Sequence, residues 1–197
     1  DLVAHTPEHG FIRLKVPSTP DDPGLAIMEA ITRLEGVLGD SISPSLLHGT
    51  TVGTNALLER RGARTILITN AGFEDILALG RQARPDLYAL HPLQHTPLIP
   101  RQEVLGMHGR RGPGGKPLRP LEDPQAFVQR HLKILKGAES IVVSFLHSYA
   151  NGLDERLVES ALHKIFPDKP VTLSHRIAPV IREYERTTTA SVNAYLA

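Results

Sequence analysis

The sequence has 197 residues, enough for one large domain or two small ones, and its 22 basic and 21 acidic residues leave a formal net charge of +1. This balance, without a concentrated basic run, argues against binding to nucleic acid or to an anionic membrane surface. The absence of cysteine excludes a disulfide framework, a thiolate nucleophile and a cysteine metal site.

The sequence shows no targeting or membrane-spanning signal, and its two ends indicate a fragment. The N-terminus lacks the basic-then-apolar pattern of a signal peptide, and no apolar run approaches the length of a membrane span, which indicates a soluble protein. The chain begins at Asp1 rather than at methionine, and its last predicted helix has no end signal before Ala197. We therefore expect a fragment of a longer protein, incomplete at both ends.

Two strands, residues 2–5 and 11–16, are predicted to form the first hairpin. Residues 5–9 match the letters of an H-x-x-E-H zinc motif. That motif needs both histidines on one helical face, and Pro7 disfavours a helix here. We expect no metal site in this segment.

A core helix is predicted to follow the hairpin. Asp22 supplies a helix cap, Pro23 suits the first helical position, and Gly36 marks the end. The apolar residues that recur on one predicted face are Leu25, Met28, Ile31 and Leu34.

A polar elbow at residues 48–55 carries the richest set of binding groups. Residues 46–47 lead into it as a strand, and residues 56–61 leave it as a helix closed by Gly62. The glycines allow a ligand to approach the backbone, while hydroxyls, an amide and free N–H groups can face an anion or a polar ring. An ordinary helix cap is an equally good interpretation of the spacing alone. The candidate binding residues are His48, Gly49, Thr50, Thr51, Thr54 and Asn55.

The rest of the chain alternates strand and helix patterns. A β-branched run at residues 64–69 predicts a buried strand, and residues 74–79 a short helix. This order predicts an α/β fold with parallel strands and right-handed crossovers. The later predicted elements are a hairpin at 104–111 and 116–121, helices at 123–137, 154–166 and 181–196, and strands at 140–146 and 171–174.

Residues 80–101 are too rich in proline for a regular element, and long loops in compact domains are often functional. Arg81, Gln82 and Arg84 have the side chains to clamp a carboxylate or a phosphate. The alternative is a surface excursion packed by its own apolar residues, including Tyr88 and Leu90.

Two further polar segments remain open. Residues 147–152 follow a predicted strand and can either line a ligand site or form a plain Asn-Gly turn, which is the favoured interpretation. Residues 183–186 place two carboxylates and an arginine at a helix start. They can orient a ligand, but a solvated helix face is the commoner reason for such a pattern.

Five spaced motifs together resemble the hydantoinase/oxoprolinase family. The chain is similar, over nearly its whole length, to the N-terminal region of a hydantoinase A-type subunit. The motifs that carry the resemblance are residues 48–60, 72–75, 80–82, 84–88 and 182–186.

The resemblance implies an actin-like ATPase fold (ribonuclease H-like), with residues 1–170 as the N-terminal region and residues 171–197 as the truncated start of the next region. It implies that ATP, with Mg²⁺, phosphorylates the carbonyl of a cyclic amide such as 5-oxoproline or a hydantoin so that the ring is hydrolysed with a hydantoinase B-type partner. On this basis the residues of the polar elbow contact the nucleotide, and Arg81 and Gln82 contact the substrate. No metal ligand is assigned.

Two departures from the family pattern affect these expectations. Family members carry an Asp-x-Gly-Gly-Thr-Phe-Thr-Asp phosphate loop, of which Asp1 is at most the final residue, so we expect the fragment alone to be inactive. Gly152 stands where the family pattern has proline. Two alternative functions are an acetone carboxylase-type ATP-dependent carboxylase subunit and a non-catalytic, small-ligand-binding actin-like module.

Overall fold

The computed structural model divides the described residues into two compact units. It describes residues 1–19, 22–39, 45–82, 88–90 and 96–197. The first unit spans residues 1–49 and the second residues 50–197. No helix within the described ranges is long and apolar enough to cross a membrane.

The first unit is the predicted β-hairpin followed by the predicted helix. Strands β1 (Leu2–Thr6) and β2 (Gly10–Leu14) pair antiparallel. Helix α1 (Pro23–Leu38) starts at the expected cap, where the Asp22 carboxylate accepts a hydrogen bond of 2.9 Å from the Gly24 N–H. Proline in the first turn costs no hydrogen bond, so cap and proline together fix this start.

The buried face of α1 differs from the predicted one. Leu25 and Met28 are 59% and 61% exposed, whereas Ala30 is buried. The helix also continues past Gly36 to Leu38. Ile31 and Leu34 are half-buried as predicted, so apolar periodicity identified part of the packed side and placed the end of the helix too early.

The residues with zinc-motif spacing lie in β1 and the turn after it, so the helical face that the motif requires is absent from this described segment. The His5 ring packs on the Phe11 ring with centroids 4.8 Å apart. The His9 N–H donates to Thr6 Oγ1 at 3.0 Å. These histidines are held by hairpin contacts.

The second unit alternates strands and helices. Its strands are β3 (Thr65–Asn70), β4 (Val104–Met107), β5 (Arg110–Arg111), β6 (Pro117–Arg119), β7 (Ser140–Ser144) and β8 (Val171–Leu173). Its helices are α2 (Val52–Leu58), α3 (Ile76–Leu79), α4 (Pro124–Arg130), α5 (Leu132–Lys136), α6 (Leu153–Ile165), α7 (Ser174–Ile177) and α8 (Glu183–Tyr195), with one 3₁₀ turn at Arg101–Glu103.

A four-stranded parallel sheet organises this unit, which confirms the predicted α/β class. The strand order is β4-β3-β7-β8, and each neighbouring pair is parallel. The predicted hairpin of residues 104–111 with 116–121 is wrong in its first half. Residues Val104–Met107 join the main sheet, and only the short β5 and β6 pair antiparallel.

The sheet has a core on each face because successive strand side chains point to opposite sides. Ile66 and Ile68 belong to the cluster that includes residues of α4, α5 and α6. Leu67 belongs to the other cluster, with Ala190 and Ala194 of α8. Small side chains on α8 allow the helix to lie close to the strands.

Helix α6 follows its predicted amphipathic pattern except near its start. Val158 and Leu162 are buried as expected, but Leu157 is 45% exposed. The first turn instead buries two carboxylates, Asp154 and Glu155. A buried carboxylate needs hydrogen-bond donors around it, so the first turn of α6 must be packed against polar groups.

Candidate functional site

Polar side chains meet at the carboxyl edge of the parallel sheet, and Asn70 at the end of β3 is the first of them. Its Oδ1 accepts from the Leu146 N–H at 2.7 Å, and its Nδ2 donates to the Gly109 carbonyl at 2.8 Å. Gly109 lies after β4 and Leu146 after β7. One buried amide therefore links the chain segments that leave three neighbouring strands.

Glu155, in the first turn of α6, is fully buried and fully hydrogen-bonded. Oε1 accepts from the Phe145 N–H at 2.9 Å and from Ser174 Oγ at 2.6 Å. Oε2 accepts from the His175 N–H at 3.1 Å and lies 2.6 Å from His175 Nδ1. These four contacts use the acceptor capacity of a carboxylate and select the tautomer of His175 that carries its proton on Nδ1.

Ser174 connects this carboxylate to a buried arginine. Its hydroxyl donates to Glu155 and accepts from Arg186 Nε at 3.1 Å. Arg186 is 0% exposed, and its other nitrogens donate to the Val180 carbonyl at 2.9 Å, to the Phe145 carbonyl at 2.8 Å and to the Glu183 carboxylate. The guanidinium therefore joins α8 to the segments that follow β7 and α7.

Glu183, in the first turn of α8, also holds the turn after β7. Its Oε1 accepts from the His147 N–H at 3.2 Å and lies 4.0 Å from His147 Nδ1. His147 has φ +57°, an uncommon conformation for a residue other than glycine. Its Nδ1 lies 3.3 Å from the Tyr149 hydroxyl, and the Tyr149 ring lies 5.6 Å from the Arg186 guanidinium.

The two segments left open by the sequence thus belong to one cluster. Residues 146–150 form a turn that Glu183 fixes, whereas the Asn-Gly pair expected to form the turn lies after it and leads into α6. The solvated-face interpretation fails for Arg186, which is completely buried. We call the residues His147, Tyr149, Glu155, Ser174, His175, Glu183 and Arg186 the strand-end cluster.

Arg81, which follows α3, contacts the same first turn of α8. Its Nε donates to Glu185 Oε1 at 2.7 Å, although 65% of the arginine side chain is exposed. The pKa of Glu185 is lowered from its ordinary value, first because its own backbone N–H bonds the carboxylate and then, against opposing desolvation, because Arg81 is adjacent. Gln82 is exposed and has φ +56°.

The polar elbow differs from its predicted secondary structure. Residues 46–47 are not a strand, and α2 spans Val52–Leu58 instead of residues 56–61. The N-cap is Thr51, whose side chain makes no capping bond, while Thr50 Oγ1 accepts from the Val52 N–H at 3.2 Å. The ordinary-cap interpretation by Thr54 or Asn55 is therefore wrong, because both residues lie inside the helix.

The six candidate residues of the elbow do not fall in one unit. His48 and Gly49 close the first unit, and Thr50 begins the second. The side chains of Thr51, Thr54 and Asn55 are exposed, as are those of His48 and Thr50.

Helix α8 separates the two sets of predicted site residues within the second unit. The Gly53 backbone faces Leu196, at the end of α8, since a Cβ on Gly53 would lie 3.5 Å from Leu196 Cδ1. Arg81 pairs with Glu185 at the beginning of that helix. At 1.5 Å per residue these points are about 16 Å apart along the helix axis.

Part of the predicted loop lies outside the described residues. Arg84 lies outside the described residues, as does most of the fourth motif, residues 84–88. Of the apolar residues expected to pack the loop, Tyr88 and Leu90 are each 94% exposed, so that expectation is wrong for both.

Gly152 is coupled sterically to the strand-end cluster. A Cβ at this position would lie 2.4–2.5 Å from three atoms of the His175 ring. Gly152→Ala is therefore expected to displace the ring from Glu155 and to lower the free energy of unfolding by about 1–3 kcal/mol, as overpacking does. The measurement is urea unfolding of both single variants and of Gly152→Ala/His175→Ala. If the steric explanation holds, the double variant loses less unfolding free energy than the two single variants do together. A loss equal to or larger than that sum would contradict it.

A family model, described as the hydantoinase/oxoprolinase N-terminal region, matches residues 1–166. The chain belongs to the hydantoinase/oxoprolinase family. The boundary expected at residue 170 stays a prediction; residues 171–197 belong to the same compact unit as residues 50–170.

The relatives of this chain within the hydantoinase/oxoprolinase family are named for different activities. The chain is 32% identical to the acetophenone carboxylase gamma subunit of Aromatoleum aromaticum, covering 92% of this chain and 28% of that one. It is 32% identical to 5-oxoprolinase of Dictyostelium discoideum, covering 90% and 16%. The solved structure of the ATP-dependent caprolactamase from Pseudomonas jessenii aligns with a TM-score of 0.84 and 30% identity, covering 98% and 29%. The chain therefore spans less than a third of each relative.

The family resemblance pointed to Arg81 and Arg186 but not to Glu155 and His175, which belong to the same cluster as Arg186. Glu155 lies three and seven residues before Val158 and Leu162, which are buried on α6. That spacing places the carboxylate on the packed face of the helix. It was the one sequence signal for the strand-end cluster, because the partners of Glu155 come from distant segments.

Proposed function

We propose that this chain is part of a cytoplasmic, ATP-dependent enzyme subunit that opens cyclic amides. A ring amide is a poor electrophile, and ATP, when bound, supplies a phosphoryl group that makes the carbonyl oxygen a leaving group. The observation that carries the proposal is the alignment of 98% of the chain with an ATP-dependent caprolactamase at a TM-score of 0.84. An actin-like ATPase fold for the whole subunit belongs to the same proposal.

Residues 50–55 of the second unit have side chains that fit a nucleotide. Thr50, Thr51 and Thr54 offer hydroxyls and Asn55 an amide, and all four side chains are exposed. Such groups hydrogen-bond phosphate oxygens, and a threonine hydroxyl is a suitable Mg²⁺ ligand in phosphate sites. Since this segment has no lysine or arginine, its contribution is hydrogen bonding rather than charge neutralisation. His48 and Gly49, in the first unit, are also proposed to contact the nucleotide.

Arg81 and Gln82 are proposed to bind the substrate. Arg81 is held by Glu185 in a position that leaves most of its side chain exposed, which lowers the entropy cost of forming a further hydrogen bond. Arg81 contacts the first turn of α8, which also carries Glu183 of the strand-end cluster, and Gln82 is the next residue in the chain. Ligands of open α/β sheets bind beyond the carboxyl ends of the strands, which is where this turn lies.

A partner subunit of the hydantoinase B type is proposed to complete the reaction. The relative from Aromatoleum aromaticum is named as one subunit of its enzyme, and the present chain covers 28% of it. On this proposal, ring opening by the whole protein requires that partner.

A carboxylase function is the second candidate, because the acetophenone carboxylase subunit is as similar as the 5-oxoprolinase, each at 32% identity. In an acetone carboxylase-type reaction, ATP consumption would depend on bicarbonate and a ketone. In ring opening it would depend on a cyclic amide alone.

ATP hydrolysis by the full-length protein with its partner distinguishes these candidates. We expect phosphate release on adding 5-oxoproline, a hydantoin or caprolactam, and none on adding acetone with bicarbonate. Thr51→Ala and Asn55→Ala are each expected to lower kcat about tenfold, since one lost hydrogen bond is worth about 1.4 kcal/mol. Ser160→Ala, an exposed hydroxyl on α6, is the matched control. Bicarbonate-dependent turnover without a cyclic amide would contradict the proposal.

A further inference from the structure

We infer that His147 and Tyr149 form the amide-binding part of the substrate site, a conclusion that rests on the proposed function. The two side chains lie at the carboxyl end of β7, a central strand of the parallel sheet. This is the position at which ligands of open α/β sheets bind.

The position of His147 is fixed by strong local constraints. Its backbone has φ +57°, and its N–H is held by the Glu183 carboxylate at 3.2 Å. For a residue other than glycine this conformation costs about 1–3 kcal/mol and persists only where surrounding contacts offset that cost. Glu183 supplies such a contact, and its own position is fixed by a hydrogen bond from the buried Arg186.

The imidazole of His147 has hydrogen-bonding capacity to spare. Its Nδ1 lies 3.3 Å from the Tyr149 hydroxyl, and 24% of the side chain is exposed. Within the part of the chain that the structure describes, Nε2 has no hydrogen-bond partner. Since Nδ1 and the hydroxyl already bond each other, the groups left for a ligand are Nε2 of the imidazole and the second hydrogen-bonding site of the phenol oxygen. In either tautomer of the imidazole, one of these two groups donates and the other accepts.

This pair is complementary to a neutral cyclic amide. The cis-amide edge of such a ring presents a carbonyl acceptor beside an N–H donor, so one group of the pair can donate while the other accepts. An anion such as bicarbonate or phosphate fits less well, because the Glu183 carboxylate lies 4.0 Å from the imidazole. The nearby Arg186 is fully buried and already donates to four groups.

Chemical modification of the intact protein with its partner tests the site without relying on turnover. We expect hydantoin or 5-oxoproline to slow the carbethoxylation of His147 by diethyl pyrocarbonate at least fivefold, as followed by mass spectrometry. His163, exposed in the last turn of α6, is the control and should react at an unchanged rate. Protection by bicarbonate but by neither ring, or no protection by any probe, would overturn the inference.

Two variants test the same site through kinetics. His147→Asn keeps a residue that tolerates positive φ, and Tyr149→Phe removes only a hydroxyl. Each is expected to raise the KM for the cyclic amide about tenfold, with an unfolding midpoint close to that of the unmodified protein. His163→Asn is the control. An unchanged KM in both variants would exclude the site, and Tyr149→Phe with the protection assay decides the matter if His147→Asn folds poorly.

The outcomes separate this inference from the proposed function. Ring-dependent ATP hydrolysis without protection of His147 and without a change in KM would leave the function standing and remove the site. Protection of His147 by hydantoin without any ring-dependent ATP hydrolysis would keep the site and remove the function.

Discussion

Arg186→Met is expected to lower the free energy of unfolding by about 3–5 kcal/mol, the usual cost of breaking a buried ion pair from one side. The substitution removes the donors to Ser174, to two backbone carbonyls and to Glu183, and it leaves the Glu183 carboxylate without its cation. Urea unfolding followed by circular dichroism measures the change. Methionine keeps much of the side-chain volume, so the loss reports on polar contacts rather than on a cavity.

Arg176→Met is the matched control for that measurement. Arg176 also pairs with a glutamate, Glu159, at 2.7 Å, but 54% of its side chain is exposed. Exposed pairs are worth at most about 1 kcal/mol, so a small change is expected. Adding Glu183→Gln to Arg186→Met should recover part of the loss, because the unpaired charge is then removed. Equal effects of the Arg176 and Arg186 substitutions would contradict the assigned role of the buried guanidinium.

Glu155→Gln is expected to lower the free energy of unfolding by about 2–5 kcal/mol. A carboxamide accepts on one oxygen only, and its NH₂ would face two of the four donors that now bind the carboxylate. Each buried donor left unpaired costs about 1–3 kcal/mol. Thermal and urea unfolding give the energy, and the downfield proton signal of His175 Nδ1–H in NMR spectra should be lost.

Glu159→Gln, one turn further along α6, controls for the chemistry of the substitution. Its carboxylate bonds the exposed Arg176, so a change of no more than about 1 kcal/mol is expected. A retained His175 proton signal in Glu155→Gln would show that another group orients the imidazole.

The sequence predicted the regular part of the fold because that part depends on local patterns. Continuous apolar runs identified β3 and β7, and the cap residue Asp22 marked a helix start that the structure contains. Parallel pairing followed from the order of the elements. These features need no knowledge of distant contacts.

The polar cluster could not be predicted in the same way, because its members come from separate segments. Arg186 is buried by groups from three other places in the chain, Phe145, Ser174 and Val180. Nothing in its own neighbourhood distinguishes it from a solvated helical arginine. The extent of α2 was missed for a local reason, since Gly53 and Asn55 are weak helix formers that usually indicate a turn.

Helix α8 has a mechanical consequence for the second unit. Its 13 residues span about 20 Å, and hydrogen bonds along the axis make such a rod difficult to compress. One end lies against the backbone of α2, and the other carries the carboxylates that hold Arg81 and His147. A hydrogen bond between Thr187 and Ser144 and one from Asn193 to Thr172 tie the helix to strands between its two ends. The contact of Leu196 with α2 and the contacts of Glu183 and Glu185 are therefore kept at a fixed separation by one element.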